Sequence, residues 1–247
     1  LYDMTLMPPI LIHRFKHRVH DFAFHPNLPM LLTSSYSLVR MYTISNTSPP
    51  KLKYTINDHN DYLSHMMFHI SCPLLMTAEV SSYSDDITSI IYVYDVTDLI
   101  ADAPVLKHTF KQNSRICIDF HNSLPLFVRF SFFNSTLSVF DNLMDTTAHE
   151  YKIKGNYSQI DMIVFHNTLP LLMVGSQKEE VGITIFDTTM FPQISIKHKF
   201  QSFGFTCNRF TITFHPNLPI LTRNIKKKSN KYCRRLFYNL NKTEKCT

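Results

Sequence analysis

One hexamer recurs five times in this chain and carries a histidine each time. The copies are Phe24-His25-Pro26-Asn27-Leu28-Pro29, Phe68-His69-Ile70-Ser71-Cys72-Pro73, Phe120-His121-Asn122-Ser123-Leu124-Pro125, Phe165-His166-Asn167-Thr168-Leu169-Pro170 and Phe214-His215-Pro216-Asn217-Leu218-Pro219. Repeated imidazoles suit two chemistries: ligation of a transition metal, or, as neutral rings, hydrogen bonding that fixes a turn. A second constellation is cationic. Lys226, Lys227, Lys228, Lys231, Arg234 and Arg235 cluster near the C-terminus with Arg223 beside them. Such a cluster suits phosphates, an acidic protein surface or anionic lipid. The adjacent acids Asp85-Asp86 and Glu179-Glu180 read as solvated loop charges. Sequence motifs for a nucleophile elbow, a Walker loop, a zinc protease helix and a dinucleotide-binding turn are absent. With only four glycines in 247 residues, a Gly-rich phosphate loop is disfavoured as well. We therefore expect no catalytic residue, no cofactor and no resident metal.

The elements that carry these residues follow from the repeat. The histidines are spaced by 44, 52, 45 and 49 residues. An alternating or apolar run precedes each hexamer, as in Ile116–Phe120, and its period of two with β-branched and aromatic content predicts a strand. The hexamer supplies Asn, Pro and Ser, which is turn chemistry. A second apolar run follows, as in Leu74–Ala78, so two antiparallel strands flank a tight loop. A third strand ends in an aromatic and then, in most copies, a polar residue: Tyr42-Thr43, Tyr94-Asp95, Phe140-Asp141, Phe186-Asp187 and Tyr238-Asn239. More polar fourth runs follow at Lys51–Ile56, Val105–Phe110, Glu150–Lys154 and Ile194–Phe200, which suits an outer, solvent-facing strand.

Short strands in fours, repeating at roughly 45 residues, are the pattern of propeller blades. On these residues the chain resembles the WD-repeat β-propeller family over nearly its whole length, in a degenerate form. The family's Trp-Asp at the end of the third strand is matched by Tyr94-Asp95, Phe140-Asp141 and Phe186-Asp187, and there is no Trp at all. The resemblance implies an all-β propeller of about five four-stranded blades in a single domain spanning 1–247, with units near 10–56, 57–110, 111–154, 155–200 and 201–241. It also implies a non-catalytic scaffold for protein partners. In the family a His, a Ser/Thr, an Asp and the Trp indole form a buried network in each blade. His59 matches the family His and Thr77 the second-strand hydroxyl, but Phe140 and Phe186 offer no donor and no Asp in the turn between strands two and three matches the family's Asp. The blades are therefore expected to lean on apolar packing. In a propeller, the histidines of successive blades would lie too far apart to share one metal ion. His25, His69, His121, His166 and His215 are expected to brace their turns, and Phe24, Phe68, Phe120, Phe165 and Phe214 to be buried equivalents.

Ring closure has two readings. The segment Ile10-Leu11-Ile12-His13-Arg14-Phe15-Lys16 reads like a fourth strand, and the last unit stops after its third strand near Leu240. The N-terminal strand would then complete the last blade; otherwise the chain is an incomplete larger ring.

Charge divides the chain unevenly. Residues 223–247 carry a net +8 while 1–222 carry −2, so the basicity is a C-terminal feature. Polyanion or nucleic-acid binding through 223–245 is accordingly the alternative to a purely protein-binding role. Aromatics are committed to strands, which argues against a base-stacking platform. No apolar run approaches the ~18 residues of a spanning helix, so no membrane association is expected. Cys72, Cys117, Cys207, Cys233 and Cys246 lack metal-site spacing, and Leu1-Tyr2-Asp3 does not begin a signal peptide. Both favour a reducing compartment, cytoplasmic with a nuclear alternative.

Overall fold

The computed structural model describes residues 2–3, 8, 10–11, 13–45, 48–81, 87–99, 103–153, 160–176, 182–191, 193–200, 210–214, 220–226 and 233–239. All regular structure among them is β. The chain divides into two compact units: 1–115 with 123–125 and 142–148, and 116–122 with 126–141 and 149–247.

The first unit begins with a two-stranded ladder of β1 (Tyr2–Asp3) and β2 (Ile10–Leu11). Its first large sheet runs in sequence order through β3 (Asp21–Phe24), β4 (Met30–Ser35), β5 (Leu38–Thr43) and β6 (Lys51–Ile56). Its second comprises β7 (Tyr62–Phe68), β8 (Leu74–Val80), β9 (Ser89–Asp95) and β10 (Val105–Gln112). The second unit holds a sheet of β11 (Ile116–Phe120), β12 (Phe127–Ser131), β13 (Thr136–Asp141) and β14 (His149–Ile153), then one of β15 (Ile160–Phe165), β16 (Leu171–Ser176), β17 (Ile183–Asp187) and β18 (Ser195–Phe200). The last sheet has three strands among the described residues: β19 (Phe210–Phe214), β20 (Ile220–Lys226) and β21 (Cys233–Asn239). Every pairing is antiparallel between strands adjacent in sequence, so local turn chemistry sets each register.

The closing strand expected at residues 10–16 is described in part, and its partners within the first unit are local. Ile10–Leu11 pairs with Tyr2–Asp3, and β21 pairs only with β20 among the described residues. A partner seven to nine residues away costs little loop-closure entropy.

Alternation puts one face of each inner strand into the core. In β11, Ile116, Ile118 and Phe120 are buried while Cys117 and Asp119 are less so. In the first unit Leu32, Met41, Leu63, Leu75 and Tyr94 belong to one apolar cluster packed between its two four-stranded sheets. In the second, Val128, Phe130, Leu137, Ile163 and Leu172 do the same between β11–β14 and β15–β18. Outer strands stay wet: four of the five residues of β14 are exposed. With so few glycines, Tyr36, Ser135 and Asn142 take positive φ of 51–60° in turns, a region costly for residues bearing a Cβ.

The hexamer phenylalanines are not all equivalent. Phe68, Phe120, Phe165 and Phe214 are buried, but Phe24 is 49% exposed. The ring of Phe68 packs against His25 of the preceding hexamer, as Phe165 does against His121 and Phe214 against His166. The ring of Phe24 meets that of Phe22, itself 62% exposed.

Candidate functional site

The histidine turns have one geometry. The N–H of His25 donates to Met30 O at 3.0 Å, and its Nδ1 accepts from the backbone N–H groups of Asn27 (3.1 Å) and Leu28 (3.0 Å). His69 Nδ1 accepts from Ser71 N (3.1 Å) and Cys72 N (2.9 Å), and His166 Nδ1 from Thr168 N (3.2 Å) and Leu169 N (3.1 Å). A neutral imidazole whose Nδ1 accepts must carry its proton on Nε2. His69 uses that proton to bond Leu124 O at 2.7 Å. Burial lowers the pKa of His25, and of His69 against the opposing pull of the Leu124 carbonyl. These rings brace turns, and the lone pair a metal would need is already engaged at His25, His69 and His166. Among the described residues no group of His, Cys, Asp and Glu converges as a metal site. His121 takes part in its turn through its N–H, which donates to Leu126 O at 2.9 Å. His215 lies outside the described residues.

The second sheet holds a polar network larger than its sequence suggests. His59 Nε2 and Thr77 Oγ1 lie 2.7 Å apart, both side chains buried. Glu79, also buried, accepts through Oε2 from the N–H groups of Asn60 (2.8 Å) and Asp61 (3.1 Å) and through Oε1 from the Tyr92 hydroxyl (2.9 Å). Tyr94, in the position of the family's Trp, donates its hydroxyl to Asp58 Oδ2 at 3.2 Å. Burial raises both phenols, helped by the Glu79 carboxylate at Tyr92 and by Asp58 at Tyr94. Burial lowers His59 although Glu79 and Asp58 pull it upward. The expectation that the blades lean on apolar packing rather than polar networks is therefore corrected for this sheet. The buried Glu79 and the exposed Asp58 both serve a structural lock, with phenols held protonated as donors.

A third arrangement joins third strands to fourth. Lys107 Nζ lies 3.1 Å from Asp95, Lys197 Nζ 3.4 Å from Asp187, and His149 Nδ1 3.5 Å from Asp141. Asp95 and Asp187 also accept from the amide and hydroxyl of Thr97 and Thr189. Burial raises the Asp95 carboxyl, but Thr97 and Lys107 outweigh it and hold it low; Thr189 and then Lys197 do so at Asp187.

In the second unit, Asp119 of β11 accepts from Phe165 N of β15 at 2.8 Å. Burial pushes its pKa to about 7, opposed by the amides of Phe165 and Phe120.

Of the basic cluster, Arg223, Lys226, Arg234 and Arg235 fall on the paired strands β20 and β21. Lys226 ends β20 opposite Cys233, Arg234 pairs with Ile225, Arg235 with Asn224 and Arg223 with Leu236. Lys227, Lys228 and Lys231 lie outside the described residues.

Comparison with known proteins supplies the fold. Sqt1 of Saccharomyces cerevisiae, a WD-repeat protein, superposes with a TM-score of 0.65 at 14% identity, covering 90% of this chain and 60% of the Sqt1 chain. This chain thus spans about 60% of the length of that structure. The fold is a WD-like β-propeller, and its blades are the antiparallel sheets described above. No protein-family model and no curated protein sequence matches the chain. With 412 solved chains matching, the fold is too widely shared to specify a function.

Proposed function

We propose that this chain is a non-catalytic scaffold of the WD-repeat kind, acting in the cytoplasm or the nucleus and binding other proteins through its blade turns and edges. The observation that carries the reading is the use of its reactive side chains. His25, His69 and His166 brace turns, Glu79, His59 and Asp58 lock a blade, and Asp95 and Asp187 tie strands together. Such an arrangement rigidifies a platform and leaves these groups committed to it. Similarity to a WD-repeat propeller supports the same role. Among the described residues no helix is long and apolar enough to cross a membrane.

The test is affinity purification of the tagged chain at high salt with stoichiometry measured by mass spectrometry. A defined protein complex that persists is expected. Loss of every partner at high salt, with nucleic acid retained at low salt, overturns the reading.

A second reading has its own observation: the β20–β21 hairpin gathers Arg223, Lys226, Arg234 and Arg235 within a segment of net +8. On that reading the hairpin binds polyanions. Replacing Lys226, Lys227, Lys228, Arg234 and Arg235 with Gln should then lower the salt dependence of heparin binding by about one slope unit for each anionic group no longer neutralised.

A further inference from the structure

The four-stranded blades differ at their outer strands. In three of them the ladder between third and fourth strand skips one residue of the fourth, and that residue is a lysine each time. Met41 pairs with Tyr54 and Tyr42 with Leu52, which passes over Lys53. Val93 pairs with His108 and Tyr94 with Leu106, which passes over Lys107. Ile185 pairs with His198 and Phe186 with Ile196, which passes over Lys197. A bulge bends its strand and lysines blunt an edge, so β6, β10 and β18 are poor templates for a further strand. The outer strand β14 is different. It follows β13 without a break from Leu137↔Ile153 to Asp141↔His149. Among the described residues it has no other strand partner, and His149, Glu150, Tyr151 and Lys152 are exposed.

Charge decides which strand β14 can receive. The strands β6, β10 and β18 carry Lys51, Lys53, Lys107, Lys111, Lys197 and Lys199 and no acid. By contrast β14 reads His149-Glu150-Tyr151-Lys152-Ile153. Turned end for end about Tyr151, that sequence is its own complement. In an antiparallel pair centred there, Glu150 stands opposite Lys152 of a second copy, and Lys152 opposite its Glu150. Both pairs lie on one face of the sheet, because these residues alternate with Tyr151. Centred on Glu150 or on Lys152, like charges meet instead. Glu150 already lies 3.4 Å from Arg129 through Oε1, and a carboxylate accepts at both oxygens, so this pair leaves capacity for a second cation.

We propose that two copies of this chain associate edge to edge through β14, antiparallel about a two-fold axis at Tyr151, so that their third blades form one continuous sheet. Main-chain hydrogen bonds join the strands, and the two Glu150–Lys152 pairs set the register. The pairing goes beyond the scaffold reading and holds whatever protein the scaffold binds.

Five residues from each copy make a small and therefore weak contact, so sedimentation velocity is run from about 10 µM to about 1 mM chain. A monomer–dimer equilibrium is expected, with amide hydrogen exchange along His149–Ile153 slowing as the concentration rises. Lys152→Glu puts acid opposite acid in both pairs and should weaken the dimer about tenfold. Glu150→Lys should do the same, and an equal mixture of the two variants should dimerise again, each acid then meeting a lysine. Circular dichroism checks that each variant is folded. If Glu150→Lys unfolds beside Arg129, the Lys152→Glu variant and the weakening of the wild-type dimer by salt keep the test. A chain that stays monomeric throughout overturns the proposal, as does a Lys152→Glu dimer as tight as the wild type. So do β14 amides equally protected at every concentration, which would mean that the chain itself covers the edge, and so does a dimer in which those amides exchange freely.

Discussion

His69 donates its Nε2–H to the carbonyl of Leu124 at 2.7 Å, joining one hexamer turn to the next across 55 residues of sequence. The same ring accepts from Ser71 and Cys72 through Nδ1, so one side chain satisfies two amides of its own turn and one carbonyl of its neighbour. Replacing His69 with Ala should cost about 1–3 kcal/mol, because partly buried backbone groups lose their partner. Equilibrium urea unfolding checks this.

Acid should weaken the same turns. Burial holds His25 and His69 below the ordinary histidine value, so the native state binds their protons less readily than the unfolded chain does. Their contribution is fully present above about pH 6.5 and is lost as pH falls through the lowered folded values. Urea midpoints measured from pH 7.5 down to 5 should drop, and a His25→Ala, His69→Ala double variant should show a shallower drop.

Asp119 has the opposite sign. Its folded pKa of about 7 lies above the unfolded value, so the stability it contributes is present at low pH and is lost as pH rises toward 7. Carboxyl carbon NMR should find Asp119 titrating near neutrality. Asp119→Asn, which keeps an oxygen acceptor for the Phe165 amide, should remove this slope and leave the histidine-linked slope in place.

Tyr92→Phe should destabilise the second blade by about 1–3 kcal/mol, since it strips a hydrogen bond from the buried Glu79 carboxylate. Glu79→Ala should cost more, because the Asn60 and Asp61 amides and the Tyr92 hydroxyl all lose their acceptor together. Thermal unfolding of the two variants side by side checks the order.

Phe165→Ala should cost about 3–5 kcal/mol, as for a buried aromatic, whereas Phe24→Ala should cost less than about 1 kcal/mol. The hexamers are alike in sequence, but Phe165 is 4% exposed against His121 and Phe24 is 49% exposed. Equal losses in chemical denaturation would mean that Phe24 is covered.

The repeated hexamers were enough to place the strands. Turn chemistry acts over a few residues, so Pro, Asn and the Phe-His pair announce each reversal, and strands adjacent in sequence pair because their loops are short. The role of histidine as a turn brace is legible for the same reason: its Nδ1 reaches amides only two and three residues on. Tertiary structure decided what local pattern could not. Glu79 follows the apolar run Leu74–Ala78, and only the approach of Asn60, Asp61 and Tyr92, 13 to 19 residues away, makes its burial tolerable. Asp119 follows the same logic, its burial set by a strand 46 residues on. Phe24 carries the sequence signature of a core residue, yet it is half exposed where the later copies are buried. The N-terminal strand has the composition of a blade edge, and within its own unit Ile10–Leu11 pairs with Tyr2–Asp3 across a short loop that costs little to close. Composition marks which side chains favour burial, but only the elements packed around each one determine whether it is buried.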